Sequence, residues 1–268
     1  MADSIPETRS ESFSIGRVFS RAFGTIAANP LAAVGIALLF GALPTMAYEY
    51  ANARLFQPGA QPSLRLAGLW LIAVGLGVSV VATVFATLVQ GAFVRLTIAH
   101  EEGRRPRFAE AGTTGVSMLV PLLGLGLVLA LGTMIGFMML VVPGIFMLLM
   151  WAVASPVLVE KRCGIRAALR ESTILAEGMW GSILGVILIV VVIEATAAYL
   201  LPLLLQDHWD SAFLVVAGQP FPILHLTVQL MTDMITATLS GAVYTSLYVE
   251  LRNWKQGTPQ DALIEIFA

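Results

Sequence analysis

Apolar residues run along this chain in long uninterrupted blocks. The blocks cover about residues 30–49, 66–95, 117–142, 144–159, 178–205 and 222–250. A helix needs roughly 20 mainly apolar residues to cross the ~30 Å hydrocarbon layer of a bilayer. The pattern therefore predicts six membrane-spanning helices. The third and fourth blocks meet at Val142-Pro143-Gly144. Together they are far too long for one crossing, and a Pro-Gly pair marks a turn. They are read as a hairpin reversing at that pair, with Pro156 bending the fourth span.

Between the blocks a helical period emerges. Ile15, Val18, Phe19, Ala22, Phe23 and Ile26 fall on one face, with Arg17 and Arg21 opposite. Asn29-Pro30 ends that helix, because a residue before proline is pushed out of the helical region. A similar segment follows span four: Ile165, Ala168 and Leu169 oppose Arg166, Arg170, Thr173 and Glu177, and Gly178 ends it. A weaker one, anchored by Phe108, runs from Pro106 to Gly115. The chain thus reads as a single all-α membrane domain over 1–268. Its six spans form three hairpins, each preceded by an amphipathic helix lying in the membrane plane on the cytoplasmic side. The units cover about 13–95, 105–160 and 164–251, and a tail, 252–268, contains a short helix opening at Thr258-Pro259.

Charge adds the orientation. Thirteen of the fifteen Lys and Arg residues fall on one side of this arrangement, leaving only Arg54 and Arg65 on the other. Positive residues stay cytoplasmic, so both termini are expected inside a cytoplasmic (inner) membrane. Counts of five or seven spans would put the last basic cluster outside. Arg17, Arg21, Arg104, Arg105, Arg107, Arg166 and Arg170 become expected contacts for anionic lipid headgroups. Composition agrees: 57% of residues are hydrophobic and only 12% charged, against roughly 25% charged in soluble domains. A net charge of −2 gives no basic field for nucleic acid. The lone Cys163 allows no internal disulfide, and the N-terminal segment lacks the apolar core of a signal peptide.

Candidate chemistry is sparse. Glu194 in span five and Asp233 in span six are carboxylates inside the hydrocarbon zone, with no Lys or Arg in either span. Counted from the outer helix ends they fall at similar depth. Span six adds His225, Gln229, Ser240 and Tyr244, spaced so that a polar stripe runs along it. Such a stripe lines a cavity or an ion path, or it fixes the helix in the bundle by interhelical hydrogen bonds. A metal site from His225 and Asp233 lacks further ligands, so no metal and no cofactor is expected. HExxH, GxSxG and Walker motifs are absent, and no enzymatic activity is expected. GxxxG patterns at Gly132–Gly136 and Gly181–Gly185 allow close helix approach, within the chain or in an oligomer. Trp151, Trp180, Trp254, Tyr48 and Tyr50 fall near predicted interfaces, as belt aromatics do.

The run from Val142-Pro143-Gly144 through Ser155-Pro156 to Glu160, then Ala167-Ala-Leu-Arg-Glu-Ser172 and Gly178, resembles a bacterial family of multi-pass membrane proteins. That family is related to the membrane domain of glycerophosphoryl diester phosphodiesterases and includes the YciC-like proteins. The stretch Tyr248-Val-Glu-Leu-Arg252 is similar too. The resemblance implies a six-helix membrane domain and transfers no catalytic residues. The expected function is a non-enzymatic, lipid-associated envelope protein, a scaffold or partner of another membrane protein or of a second copy. A transporter or channel using Glu194 and Asp233 is the alternative, and an intramembrane lipid enzyme comes third.

Overall fold

The computed structural model describes residues 13–47, 64–103, 117–205, 213–216 and 219–256. Nine helices carry these residues. Helix α1 is Ile15–Ala28, and α2 is Pro30–Ala47, with a π-helical stretch at Ala37–Ala42. Then come α3 (Leu64–Glu101), α4 (Leu119–Met139), α5 (Val141–Trp151), α6 (Ala154–Lys161), α7 (Ile165–Ala176), α8 (Trp180–Leu205) and α9 (Ile223–Gln256). A short antiparallel hairpin, β1 (Phe213–Val216) with β2 (Gln219–Pro222), is the one strand pair among the described residues.

Five segments are long and apolar enough to cross a membrane: Pro30–Ala47, Gly75–Glu101, Leu119–Met139, Val141–Lys161 and Trp180–Leu200. Their outward faces carry Val128, Leu131, Ile135, Leu188, Val191 and Val192, all exposed. A water-soluble surface does not sustain so continuous an apolar area, and the protein is membrane-embedded. The 34 residues of α9 suffice for a crossing by length. Its Gln229, Asp233, Thr232, Thr236 and Ser240 leave it less apolar than the other five.

Two helix breaks fall a few residues before the prolines that the sequence pointed to. The break between α4 and α5 falls at Leu140, which adopts extended φ −168° and ψ 155°. Pro143 and Gly144 lie inside the first turn of α5. Proline is tolerated there because the first backbone N–H groups of a helix have no intrahelical acceptor. The break in the next segment falls at Ala152–Val153, one turn before Pro156. The proline ring clashes with the carbonyl four residues back, that of Ala152, so the disruption precedes the proline.

Glycines set the close approaches. A Cβ on Gly136 would lie 2.9 Å from Gly144 Cα, and one on Gly132 would strike the Trp151 ring. The first GxxxG pattern therefore seals the α4–α5 hairpin within the chain. Gly181 has nothing within 4 Å, and Gly185 faces Ile15 of α1. Gly41, inside the π-helical stretch, would place a Cβ 2.7 Å from Ala237 Cβ of α9. Gly241 of α9 is covered by Phe93 and Val89 of α3. The core follows these contacts, with Phe93, Leu96, Leu158, Leu247 and Tyr248 fully buried.

The amphipathic helices face inward. Val18 and Ala22 of α1 are fully buried, and Ile15, Phe19 and Ile26 pack on the core, leaving Phe23 exposed. Ala168, Ser172, Leu175 and Ala176 of α7 are buried, and Ser172 Oγ donates 2.8 Å to the Met150 carbonyl. These apolar faces pack on protein, where the sequence pattern suggested lipid. Both patterns look alike in sequence, because a bundle surface and an acyl layer are equally apolar. The middle amphipathic segment and the tail helix lie outside the described residues.

Candidate functional site

Two polar assemblies stand out, one within the bundle and one at the end where α1, α7 and the C-terminal part of α9 meet.

The first surrounds a cavity of about 240 Å³. Helix α3 contributes Thr83, Thr87 and Gln90, spaced four and three residues apart so that they share a face. Helix α4 adds Leu129 and Thr133, α5 adds Leu148 and Trp151, α8 adds Ile187 and Val191, and α9 adds Tyr244. Ala86, Leu148 and Val191 are exposed, so the cavity is open rather than sealed. Thr87 Oγ1 donates to the Thr83 carbonyl at 2.8 Å, and Thr133 Oγ1 to the Leu129 carbonyl at 2.7 Å. Those hydroxyl protons are spent on their own helices. Gln90 and Tyr244 take no part in the side-chain hydrogen bonds found among the described residues, and are the uncommitted polar groups of the wall.

Of the residues expected at an intramembrane polar site, only Tyr244 lines this cavity among the described residues. Glu194 lies one turn outward from Val191 on the same helix, half-buried and within electrostatic range of Tyr244. Its Oε1 is buried without a hydrogen-bond partner. Ser240 Oγ donates 2.7 Å to the Thr236 carbonyl of its own helix. Gln229 and Asp233 are half-buried, and each has an interaction of its own. The side chain of His225 lies outside the described residues. Among the described residues no group of three His, Cys, Asp or Glu is placed to hold a metal ion.

Glu194 and Asp233 stand at different positions along the α8–α9 pair. Gly178 and Trp254 face each other at one end of the α8–α9 pair, and Ile187 and Val191 share the cavity wall with Tyr244. On that antiparallel register a step from Val191 to Glu194 corresponds to a step from Tyr244 towards Ser240. Asp233 lies seven residues beyond Ser240, about 10 Å further along the helix at 1.5 Å per residue. The outer ends counted in the sequence match the helix ends Leu205 and Ile223, but α9 has 34 residues and α8 has 26, so the two helices are not level at both ends.

The second assembly joins distant parts of the chain. Glu250 of α9 is almost fully buried. Its Oε1 accepts from Arg17 Nε at 2.8 Å and from the Ser14 backbone N–H at 3.2 Å. Its Oε2 accepts from Arg21 Nη1 at 3.2 Å. Arg21 Nε also donates to Glu101 at the end of α3. Nearby, Arg252 pairs with Glu160 and stacks over the Tyr248 ring at 5.8 Å, Lys161 pairs with Glu171, and Lys255 donates to the Ile174 carbonyl.

These pairs sort the cations expected to meet lipid. Arg17 and Arg21 are held by Glu250 and Glu101 inside the protein, and Arg21 is only 15% exposed. Arg162, Arg166 and Arg170 are exposed and belong to none of the ion pairs among the described residues. Arg104, Arg105 and Arg107 lie outside the described residues. Trp151, expected in an interface belt, lines the cavity instead, whereas Trp180 is exposed and meets Phe146 edge-on at 4.4 Å.

Comparison with protein-family models, curated proteins and solved structures finds no match to this chain.

Proposed function

We propose that the protein is a non-enzymatic, six-span protein of the cytoplasmic membrane, with both termini inside, that engages anionic lipid through the basic face of α7. Helix α9 is the sixth span in this reading. The observation that carries the proposal is the set of uncompensated cations. Most other described cations at this end of the bundle meet a carboxylate or a backbone carbonyl. Arg162, Arg166 and Arg170 meet none, and stand beside an apolar surface that needs lipid around it. A basic cluster at a membrane surface attracts anionic headgroups by about 1 kcal/mol per residue. The resemblance of 142–160 and 167–172 to YciC-like proteins supports the same reading. The role that follows is lipid-associated: a scaffold or partner in the envelope whose local lipid composition is set by α7.

The test is reconstitution into nanodiscs of mixed phosphatidylglycerol and phosphatidylethanolamine, with retained lipid counted by native mass spectrometry. Neutralising Arg162, Arg166 and Arg170 to Gln should deplete retained phosphatidylglycerol, and the pair R17Q/R21Q should deplete it less. Equal retention in all three proteins would overturn the proposal.

A second reading rests on the buried, unpartnered Oε1 of Glu194. Carboxylates at bilayer depth are costly and are used in ion and proton paths. If the protein is a proton- or ion-linked transporter, Glu194→Gln abolishes flux in proteoliposomes without lowering the yield of folded protein. Asp233→Asn is the companion variant.

A further inference from the structure

We infer that the cavity between α3, α4, α5, α8 and α9 is a binding site for the polar end of an uncharged long-chain alcohol supplied by the bilayer. This site is separate from the basic face of α7.

Three observations converge on that class of ligand. The cavity lies among apolar helices; Leu148 and Val191 are exposed in its wall, and Val191 shares a helix face with the exposed Leu188, beside the exposed Val192. Its natural supply of ligand is therefore acyl-chained. Leu129, Leu148, Trp151, Ile187 and Val191, with two alanines, make most of the wall. A purely aqueous filling has few partners there, since an ordered buried water needs two to four polar contacts. Yet the wall also holds the Gln90 carboxamide and the Tyr244 hydroxyl, uncommitted within the protein. A plain alkyl chain filling the cavity would leave both without partners, which is unfavourable for polar groups cut off from water.

A single hydroxyl meets these demands together, because it both donates and accepts. It can accept from Gln90 Nε2 and donate to Tyr244 Oη, or accept from Tyr244 Oη and donate to Gln90 Oε1. The remaining acceptor lone pairs of Thr87 and Thr133 add tolerance to its position. A phosphate or carboxylate headgroup is selected against. It would have to shed its hydration at bilayer depth, and Glu194, one turn beyond Val191, would repel a second acid. At about 240 Å³ the cavity takes one end of such a molecule, and the rest of the chain lies along the outer surface of α8.

The experiment uses the full chain in nanodiscs and a photoactivatable long-chain fatty alcohol with its diazirine near the hydroxyl. Labelling should concentrate on peptides containing Leu148 and Val191. Excess unlabelled alcohol should displace it, and an alkane of the same length should not. Tyr244→Phe should weaken labelling about fivefold, the value of one net hydrogen bond. Val191→Trp, at an exposed position that does not disturb the core, should abolish it. Leu131→Trp, exposed on α4, should leave it unchanged. Labelling spread equally over the Leu131–Ile135 surface, equal displacement by the alkane, or no response to either cavity variant would overturn the inference. Anionic-lipid retention by α7 should be the same in all these variants, so failure here leaves the α7 proposal standing.

Discussion

Arg17 Nε donates a 2.8 Å hydrogen bond to Glu250, bridging 233 positions of sequence. The contact ties the first helix to the last and brings α1 against the end of the bundle. Glu250 gathers two guanidinium groups and a backbone N–H at one carboxylate, which makes it the hub of the ion-pair network at this end of the bundle.

Removing the hub leaves two cations facing a buried site. Glu250→Ala should destabilise the protein by about 3 kcal/mol, the usual range for breaking a buried pair from one side. Arg17→Ala, at a side chain that is 40% exposed, should cost under about 1 kcal/mol. Unfolding titrations in mixed micelles give both values, and equal effects of the two substitutions would contradict the assigned hierarchy.

The glycines of α8 and α9 should respond in opposite ways. A side chain at Gly241 would meet Phe93 at 2.6 Å and Val89 at 2.9 Å. Gly241→Val should therefore cost about 1–3 kcal/mol through overpacking. Gly181 faces open space, so Gly181→Ala should be neutral or stabilise by a few tenths of a kcal/mol through helix propensity. Thermal aggregation of the detergent-solubilised variants distinguishes the two.

Glu194 should be dispensable for folding. Its buried Oε1 has no partner, and an ionised carboxylate at this depth is costly. Glu194→Gln should leave stability unchanged or raise it by about 1 kcal/mol, whereas Glu194→Lys should lower the yield of folded protein. A marked loss of stability in Glu194→Gln would mean that the carboxylate fixes the bundle.

What the sequence disclosed and what it hid separate by range. The apolar blocks are local, and the blocks at 30–49, 117–142 and 178–205 reappear as α2, α4 and α8 within a few residues. Helix α1 was legible from its period and from Asn29-Pro30. The pairing of Arg17 and Arg21 with Glu250 was not, because nothing local separates a cation facing lipid from one facing a carboxylate 229 or more positions away. The cavity was hidden for the same reason, since its polar wall comes from three different helices. One signal was present and passed over: Thr83, Thr87 and Gln90 form a polar stripe on an otherwise apolar helix. The relative position of Glu194 and Asp233 depends on how α8 and α9 are staggered, and the lengths of two apolar blocks do not give that stagger.

The sidedness of α7 is the centre of the functional account, and the chain carries its own reporter of it. Cys163, the sole cysteine, is partly exposed and sits between Arg162 and Arg166 in the turn that opens α7. A membrane-impermeant maleimide should label Cys163 in inverted membrane vesicles and leave it unlabelled in right-side-out vesicles until the membrane is permeabilised. Labelling from the outer face of sealed right-side-out vesicles would place the basic face outside and contradict both the topology and the proposed role of α7.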